Sequence, residues 1–290
     1  MSVSCRGLLL TNAFLRTDKF CELYSMLKAA AEGQNILLEE LRNDRLLKEE
    51  GIDKCAENYD FCLFWDKDIK LGKRLEGRGL RLYNSSRAVE ICDDKAETYL
   101  ALEKSGILMP KTLILPFTYS GTGYGELSFI EQIEEELGYP MVVKAAKGSF
   151  GMQVYLAEDH ESLAGLLKSC AGDTMIAQEY IKESRGRDVR IHMVGDRVSA
   201  CMERRNDRDF RANITGGGSM YDHRAGDEEI ALCRRVMEIL QLDFAGIDIL
   251  FSDRGPMLCE VNSNAHFKNI YDHTGINVAE DIMSYIRDMQ

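Results

Sequence analysis

The first part of the chain alternates short apolar runs with longer amphipathic ones. A helix is predicted over 18–32, where apolar side chains recur at helical spacing. The apolar runs that predict strands lie at 7–13, 35–41, 59–65 and 79–85. Strands that alternate with helices favour a parallel sheet with helices on its faces, which is an α/β arrangement.

The pattern changes further along the chain. Two short helices are predicted over 84–106, and residues 140–158 then read as strand, glycine loop, strand. Hairpins are predicted at 188–205, around a Gly-Asp turn, and at 244–262, with a helix over 227–241 between them. Strand pairs with single helices between them indicate an α+β unit.

The second hairpin carries two carboxylates that we expect to face each other. Its turn sequence, SDRGP, places Asp248 opposite Glu260, and Asn262 then points to the same face as Glu260. Facing like charges cost roughly 0.2–1 kcal/mol even when exposed. A hard divalent cation such as Mg²⁺ or Mn²⁺ would relieve the repulsion. The alternative is an ordinary half-exposed hairpin without a metal.

Two mutational expectations follow from this hairpin. Asp248→Asn and Glu260→Gln should each abolish ADP formation if the two carboxylates hold a metal with nucleotide. If the carboxylates repel each other, the same changes should raise the melting temperature in metal-free buffer.

A glycine-rich loop follows the strand that contains Lys144. In KGSFGMQV (147–154), the small residues let backbone N–H groups approach phosphate oxygens. Lys144 would reach the same phosphates as a point charge. The loop joins two strands and therefore matches neither a Walker loop nor a dinucleotide fingerprint. The alternative is a plain hairpin turn.

A second segment combines arginine with glycine. FRANITGGGS (210–219) places Arg211 and Asn213 directly before three glycines. An arginine beside an amide suits a transferring phosphoryl group, and the glycines suit a loop that closes over substrate. The alternative is a solvated loop whose arginines pair with Asp207 and Asp209.

Composition narrows the class of partner. The net charge of −12 argues against general binding to nucleic acid backbones or anionic membranes. The nine cysteines include no CxxC pair and several lie in apolar runs, which is typical of reduced thiols in the cytosol. No apolar run approaches the length of a membrane span, so we expect a cytoplasmic protein.

Taken in order, the motifs resemble the ATP-grasp superfamily and, within it, the RimK-type carboxylate–amine ligases. The pieces that carry the resemblance are NSSRAVEICDDK (84–95), VVKAAKGSFGMQV (142–154), QEYI (178–181), DVR (188–190), FRANITGGGS (210–219) and GIDILFSDRGPMLCEVNSN (246–264). The resemblance implies an ATP-grasp fold with a small N-terminal parallel α/β (pre-ATP-grasp) domain. It divides the chain into that domain (1–92), a central subdomain (93–182) and a C-terminal subdomain (183–290).

The resemblance also assigns roles to individual positions. The matching nucleotide-binding residues are Lys95, Lys144, Lys147, Gly148, Ser149, Gly151, Gln178, Glu179, Tyr180, Ile181, Asp188, Arg211 and Asn213. Of these, Arg211 and Lys144 are the expected catalytic groups, and 178–181 is the expected adenine hinge. The expected ligands of two Mg²⁺ or Mn²⁺ ions are Asp248, Glu260 and Asn262.

The implied reaction proceeds in two steps, with ATP as the phosphoryl donor. A carboxylate takes the γ-phosphoryl group, and an amine then displaces phosphate to form an amide. The implied partners are an amino acid and an acidic peptide, protein tail or metabolite, with a homo-oligomer as a further expectation. After EVNS, however, the chain continues as NAHFKNIYDHTG, and its FKN element is similar to LysX-type ligases that act on a carrier protein. An ATP-grasp kinase and a catalytically silent nucleotide-binding module remain as alternatives.

Overall fold

The computed structural model describes residues 5–148, 153–170 and 172–290. Its N-terminal part is a four-stranded parallel sheet in the order β2-β1-β3-β4. The strands are β1 (Cys5–Thr11), β2 (Ile36–Arg42), β3 (Phe61–Trp65) and β4 (Arg81–Tyr83). The helices that join them are α1 (Asp18–Gly33), α2 (Glu49–Asn58) and α3 (Ile69–Glu76).

The continuous apolar run of β1 is explained by burial on both sheet faces. Leu9 packs in a core with α1, while Leu8 and Leu10 pack in a second core with residues of α2 and α3. A strand covered on both faces needs apolar side chains at every position, which is typical of parallel sheets. The predicted α/β arrangement of this part is confirmed.

Two short helices connect this sheet to the rest of the chain, as predicted. They are α4 (Ser86–Asp93) and α5 (Lys95–Leu102). Asp94 lies between them and caps α5, because its side chain accepts hydrogen bonds from the Ala96 and Glu97 N–H groups.

A central antiparallel sheet has the order β5-β8-β6-β7 and a core of its own. Its strands are β5 (Thr112–Ile114), β6 (Met141–Ala145), β7 (Val154–Ala157) and β8 (Met175–Glu179). Its helices are α6 (Ile130–Leu137) and α7 (His160–Ser169). Gly138 follows the last residue of α6 at φ 66°, a backbone conformation that favours glycine at the end of a helix.

A large antiparallel sheet contains both predicted hairpins, in the order β11-β10-β9-β12-β13. Its strands are β9 (Arg187–Val194), β10 (Arg197–Arg205), β11 (Ser219–Asp222), β12 (Phe244–Leu250) and β13 (Met257–Asn262). Helices α8 (Asp227–Leu240), α9 (Lys268–Thr274) and α10 (Val278–Met289) contact it, and α4 contacts its strand β13. In β12 and β13, Asp248 faces Glu260, which confirms the predicted register.

The parallel sheet and the large sheet are joined by a shared core and by a buried asparagine. Asn84, just after β4, is fully buried. Its Nδ2 donates to the carbonyl oxygens of Phe244 and Ser263, each at 2.9 Å. Its Oδ1 accepts from the Asp243 N–H at 2.7 Å. One amide thereby ties the end of β4 to both the start of β12 and the segment after β13.

In the part of the chain that the structure describes, no helix combines the length and apolar character needed to cross a membrane.

Candidate active site

A cleft of about 930 Å³ lies between the central sheet and the large sheet. The central sheet contributes Lys144 from β6 and the segment 178–181 from the end of β8. The large sheet contributes Asp188, Asp248 and Glu260 from three of its strands. The two sheets therefore bring together residues that lie more than a hundred positions apart in the sequence.

Lysine side chains supply positive charge on one side of this cleft. Lys144 is only 6% exposed, and no carboxylate within 4.0 Å pairs with it among the described residues. Lys95 Nζ donates to the Gly148 carbonyl oxygen at 3.0 Å and lies 3.7 Å from Glu260 Oε1. A buried lysine without an acidic partner is costly unless an anion compensates it. The cleft is therefore suited to an anionic ligand.

A chain of buried ion pairs forms the floor of the cleft. Arg204 donates to both carboxylate oxygens of Asp188, each at 2.7 Å, and its Nη2 lies 3.0 Å from Asp248 Oδ2. Arg190 also contacts Asp248, through Nε to Oδ1 and through Nη2 to Oδ2, the latter at 2.7 Å. Two acids thus alternate with two arginines.

This chain of ion pairs corrects the expectation of repulsion at the hairpin. Asp248 does face Glu260, but its charge is compensated by Arg190 and Arg204. Burial opposes ionisation of Asp248, yet the two guanidinium groups outweigh it and hold the pKa of this carboxyl well below its usual range. For Asp188, burial is the larger effect and raises the pKa, against the opposing charge of Arg204.

The roles of Arg190 and Arg204 were not predicted from the sequence. A signal was present in β9, where Asp188, Arg190 and His192 alternate with apolar residues that pack in the core. Strand periodicity places these three polar side chains on one face. All three are buried or nearly so, and burial lowers the pKa of His192 to about 3. A strand face that is both polar and buried indicates a functional site.

The three proposed metal ligands offer oxygen donors, which suit Mg²⁺ or Mn²⁺. Glu260 and Asn262 line a common cavity, and Asn262 Nδ2 is buried without a hydrogen-bond partner in the described part of the chain. Asp248 fits less simply because Arg190 and Arg204 already contact both of its oxygens. A carboxylate has about four lone-pair sites. One lone-pair site of Asp248 therefore remains for a cation. Together with Glu260 and Asn262, it gives a set of oxygen donors that fits Mg²⁺ or Mn²⁺.

Only two of the three proposed ligands are acids. No group of three or more His, Cys, Asp or Glu side chains capable of holding a metal occurs within residues 5–148, 153–170 and 172–290.

The segment proposed as the adenine hinge is held by its side chains. Gln178 Nε2 donates to Thr112 Oγ1 at 2.8 Å, so this amide is directed towards β5. Glu179 accepts from Arg254 Nη2 at 2.6 Å and from the Lys111 N–H at 3.2 Å. These hydrogen bonds hold both side chains in place. The backbone around Tyr180 and Ile181 lies along the cleft.

The arginine segment and the glycine loop are only partly placed at the cleft. Arg211 and Asn213 line it, but Arg211 pairs with Asp209 at 2.7 Å, as the alternative interpretation expected. Gly148 also lines the cleft, whereas Lys147 is exposed and is not among the described lining residues. Ser149 and Gly151 lie outside the described residues.

Comparison with known proteins identifies the family. Residues 92–286 match the family model described as RimK-like ATP-grasp domain. The chain belongs to this family. It is 33% identical over 265 residues to the uncharacterized protein MG012 homolog of Mycoplasma pneumoniae, covering 90% of this chain and 92% of that protein. It is 32% identical over 217 residues to the ribosomal protein bS6–L-glutamate ligase of Escherichia fergusonii, covering 74% of this chain and 70% of that protein.

A solved structure agrees with this assignment at the level of fold. The RimK domain ATP-grasp protein of Sphaerobacter thermophilus superposes with a TM-score of 0.72 at 17% identity, covering 97% of this chain and 98% of that one. The ATP-grasp fold predicted from the sequence is confirmed. ATP-grasp ligases of this family join carboxylates to amines and use ATP with a divalent metal.

A second cavity of this RimK-like protein, of about 1530 Å³, adjoins the first. Asp248, Glu260 and Arg204 line both. Its opposite wall is formed at the carboxyl ends of β1 and β3, by residues that include Asn12 and Asp66. The carboxyl ends of parallel strands commonly form ligand sites in α/β proteins. No residue of this wall was predicted from the sequence.

Proposed function

We propose that this RimK-like protein is an ATP-dependent carboxylate–amine ligase that forms an amide through an acyl-phosphate. The observation that carries the proposal is the shared lining of the two cavities at Asp248, Glu260 and Arg204. One cavity offers Lys144 to an anionic nucleotide, and the other offers room for a second substrate. A reaction between the two ligands would take place where the cavities meet.

In this proposal ATP occupies the cleft between the central and large sheets. Lys95 and Lys144 bind its phosphates, and the backbone of 178–181 binds adenine. Arg211 binds the transferring phosphoryl group after exchanging its bond to Asp209. Glu260 and Asn262, with Asp248, hold Mg²⁺ or Mn²⁺, which neutralises charge on the triphosphate.

The chemistry requires no nucleophile from the protein. An oxygen of the substrate carboxylate bonds to the γ-phosphorus, and ADP leaves with the electrons of the broken P–O bond. The substrate amine, in its neutral form, then attacks the acyl carbon; the acyl C–O bond breaks, phosphate departs with its electrons, and the nitrogen loses a proton, leaving an amide. Because water would hydrolyse the acyl-phosphate, the reacting groups must be enclosed. Arg204 and Asp248, which are at most 6% exposed, provide a buried floor at that point.

For the substrates, we propose glutamate or another amino acid and an acidic acceptor. The relative from Escherichia fergusonii, named as a ligase of glutamate to a ribosomal protein, supports this class. The FKN element keeps the carrier-protein alternative open. Phe267 is fully buried in the core, whereas Asn269 lines the second cavity. Asn269 is therefore the residue of this element that we expect to contact a substrate.

We also propose the division into units 1–92, 93–182 and 183–290. It is supported by the distribution of the sheets, since the central sheet spans residues 112–179 and the large sheet spans residues 187–262.

The test is an ADP-release screen of amino acids against acidic acceptors, with products identified by mass spectrometry. In parallel, hydroxylamine replaces the amine and traps an acyl-phosphate as a hydroxamate. We expect ADP together with an amide, and a hydroxamate in the trap. A phosphorylated product that never yields amide would identify a kinase, and ATP binding without turnover would identify a silent module; either result refutes the ligase proposal.

A further inference from the structure

Three residues that line the second cavity carry buried hydrogen-bond acceptors without partners. Within the described residues, Asp66 Oδ2, Asn264 Oδ1 and His266 Nδ1 are all buried and have no hydrogen-bond partner. All three residues line the same cavity. Buried polar atoms are nearly always satisfied in proteins, so such a group calls for a ligand or ordered water.

The chemical identity of each atom follows from its neighbours. Asn264 Nδ2 donates to the Asp66 carbonyl oxygen at 3.1 Å, and His266 Nε2 lies 3.2 Å from the Lys19 carbonyl oxygen. A carbonyl oxygen only accepts, so both nitrogens must donate. The remaining amide atom is therefore an oxygen, and the remaining ring nitrogen of a neutral histidine is an acceptor. Burial lowers the pKa of His266 to about 4, which keeps the ring neutral.

Asp66 supplies the negative charge of this group. It directly follows β3 and is 6% exposed. Its Oδ1 accepts from the Lys67 N–H at 2.7 Å and from Asn12 Nδ2 at 3.2 Å. Its other oxygen, Oδ2, is the one without a hydrogen-bond partner among the described residues. Burial raises the pKa of Asp66 despite these bonds, so a cationic partner would stabilise its ionised form.

Most of the cationic side chains that line this cavity already pair with carboxylates. Arg190 and Arg204 contact Asp248, and Lys67 pairs with Asp93. Lys19 differs, because no carboxylate within 4.0 Å pairs with it in the described ranges. Its own carbonyl oxygen is the partner of His266 Nε2, so Lys19 is a neighbour of the acceptor group.

We propose that Asp66, Asn264 and His266 bind the ammonium group of an amino acid substrate, with Lys19 available to its carboxylate. Three acceptors match the three N–H donors of a primary ammonium, and one of them carries the compensating charge. This inference rests on the proposed function and deepens it: the second cavity takes the amine substrate as a zwitterionic amino acid. Asp66 acts here in substrate recognition and accepts one proton of the ammonium, which frees the nitrogen lone pair for attack on the acyl carbon.

The test compares L-glutamate with glutarate, which has the same carbon chain but no amino group. Binding of each is measured by calorimetry with ADP and Mg²⁺ present, for the wild type, Asp66→Asn and Asp93→Asn. The last variant is the matched control, since it removes one negative charge from the same cavity at a residue already paired with Lys67. We expect Asp66→Asn to weaken L-glutamate binding about 10- to 100-fold, as for loss of a charge-assisted hydrogen bond, and to leave glutarate unaffected.

Three outcomes would overturn the assignment: equal binding of the two ligands by the wild type, retained discrimination in Asp66→Asn, or equal loss in Asp93→Asn. If Asp66→Asn fails to fold, His266→Phe replaces it, since a phenyl ring preserves the edge-on packing against Phe20 and removes the acceptor. Hydroxamate formation separates the two proposals. It needs no amino acid and should therefore persist in Asp66→Asn. Its absence in the wild type would count against the ligase proposal, and the binding comparison would still decide whether Asp66 binds the ammonium group.

Discussion

Replacing Asp248 by asparagine should destabilise the protein, contrary to what repulsion at the hairpin would produce. Asp248 is 4% exposed and contacts two guanidinium groups whose side chains are 13% and 7% exposed, those of Arg190 and Arg204. Removing one partner of a buried ion pair costs about 3–5 kcal/mol, because the remaining charge stays buried. The new amide would retain one acceptor oxygen and Arg204 would retain Asp188, so we expect a value near the lower end, about 3 kcal/mol.

The measurement is calorimetric melting in buffer containing a chelator. Unfolding entropy of about 2 cal/mol/K per residue gives roughly 0.6 kcal/mol/K for 290 residues. The melting temperature of Asp248→Asn should therefore fall by about 5 °C. Glu260→Gln is the control, because Glu260 is partly exposed and its ion partner Lys95 is 3.7 Å away. Its melting temperature should change by no more than about 2 °C. An Asp248→Asn protein that melts at or above the wild-type temperature would refute this account of the ion-pair chain.

Two further predictions concern the cleft and the hairpin. Lys144→Met should weaken ATP binding about 10- to 100-fold without lowering stability, because it removes a buried charge that has no carboxylate partner among the described residues. In titration calorimetry the control Lys168→Met, at an exposed position of α7, should bind within about 3-fold of wild type, and equal losses would contradict the role of Lys144. Gly246→Ala should cost about 1–3 kcal/mol in urea unfolding, since its Cβ would lie 2.4 Å from that of Ala265. Gly165→Ala, in open space on α7, should be neutral or stabilising, and similar losses in both would rule out the steric cause.

Local rules predicted much of the fold. The SDRGP turn and the two-residue period of a strand were sufficient to place Asp248 opposite Glu260, as the register confirms. The apolar run of β1 predicted a buried parallel strand, and every one of its leucines does pack in a core. In both cases the pattern that allowed the prediction is local in the sequence.

Features that depend on distant partners were not predictable in the same way. Arg190 contacts a carboxylate 58 residues away, and nothing near it in the sequence indicates that Asp248 is its partner. The sequence therefore suggested repulsion at Asp248, since it shows the facing Glu260 but not the arginines that β9 and β10 bring to Asp248. The acceptors at Asp66 and Asn264 were missed for the same reason, being 198 residues apart in the chain.

The hydrogen bonds of Asn84 bear on how the cleft can open. Its amide spans the boundary between the parallel and large sheets, and each bond is made to a main-chain group that a change of angle between those sheets would break. Among the residues that the structure describes, the core of the central sheet shares no buried residue with the cores that cover the other two sheets. A rotation of the central sheet that widens the cleft would leave the hydrogen bonds of Asn84 intact, whereas a rotation between the other two sheets would break them.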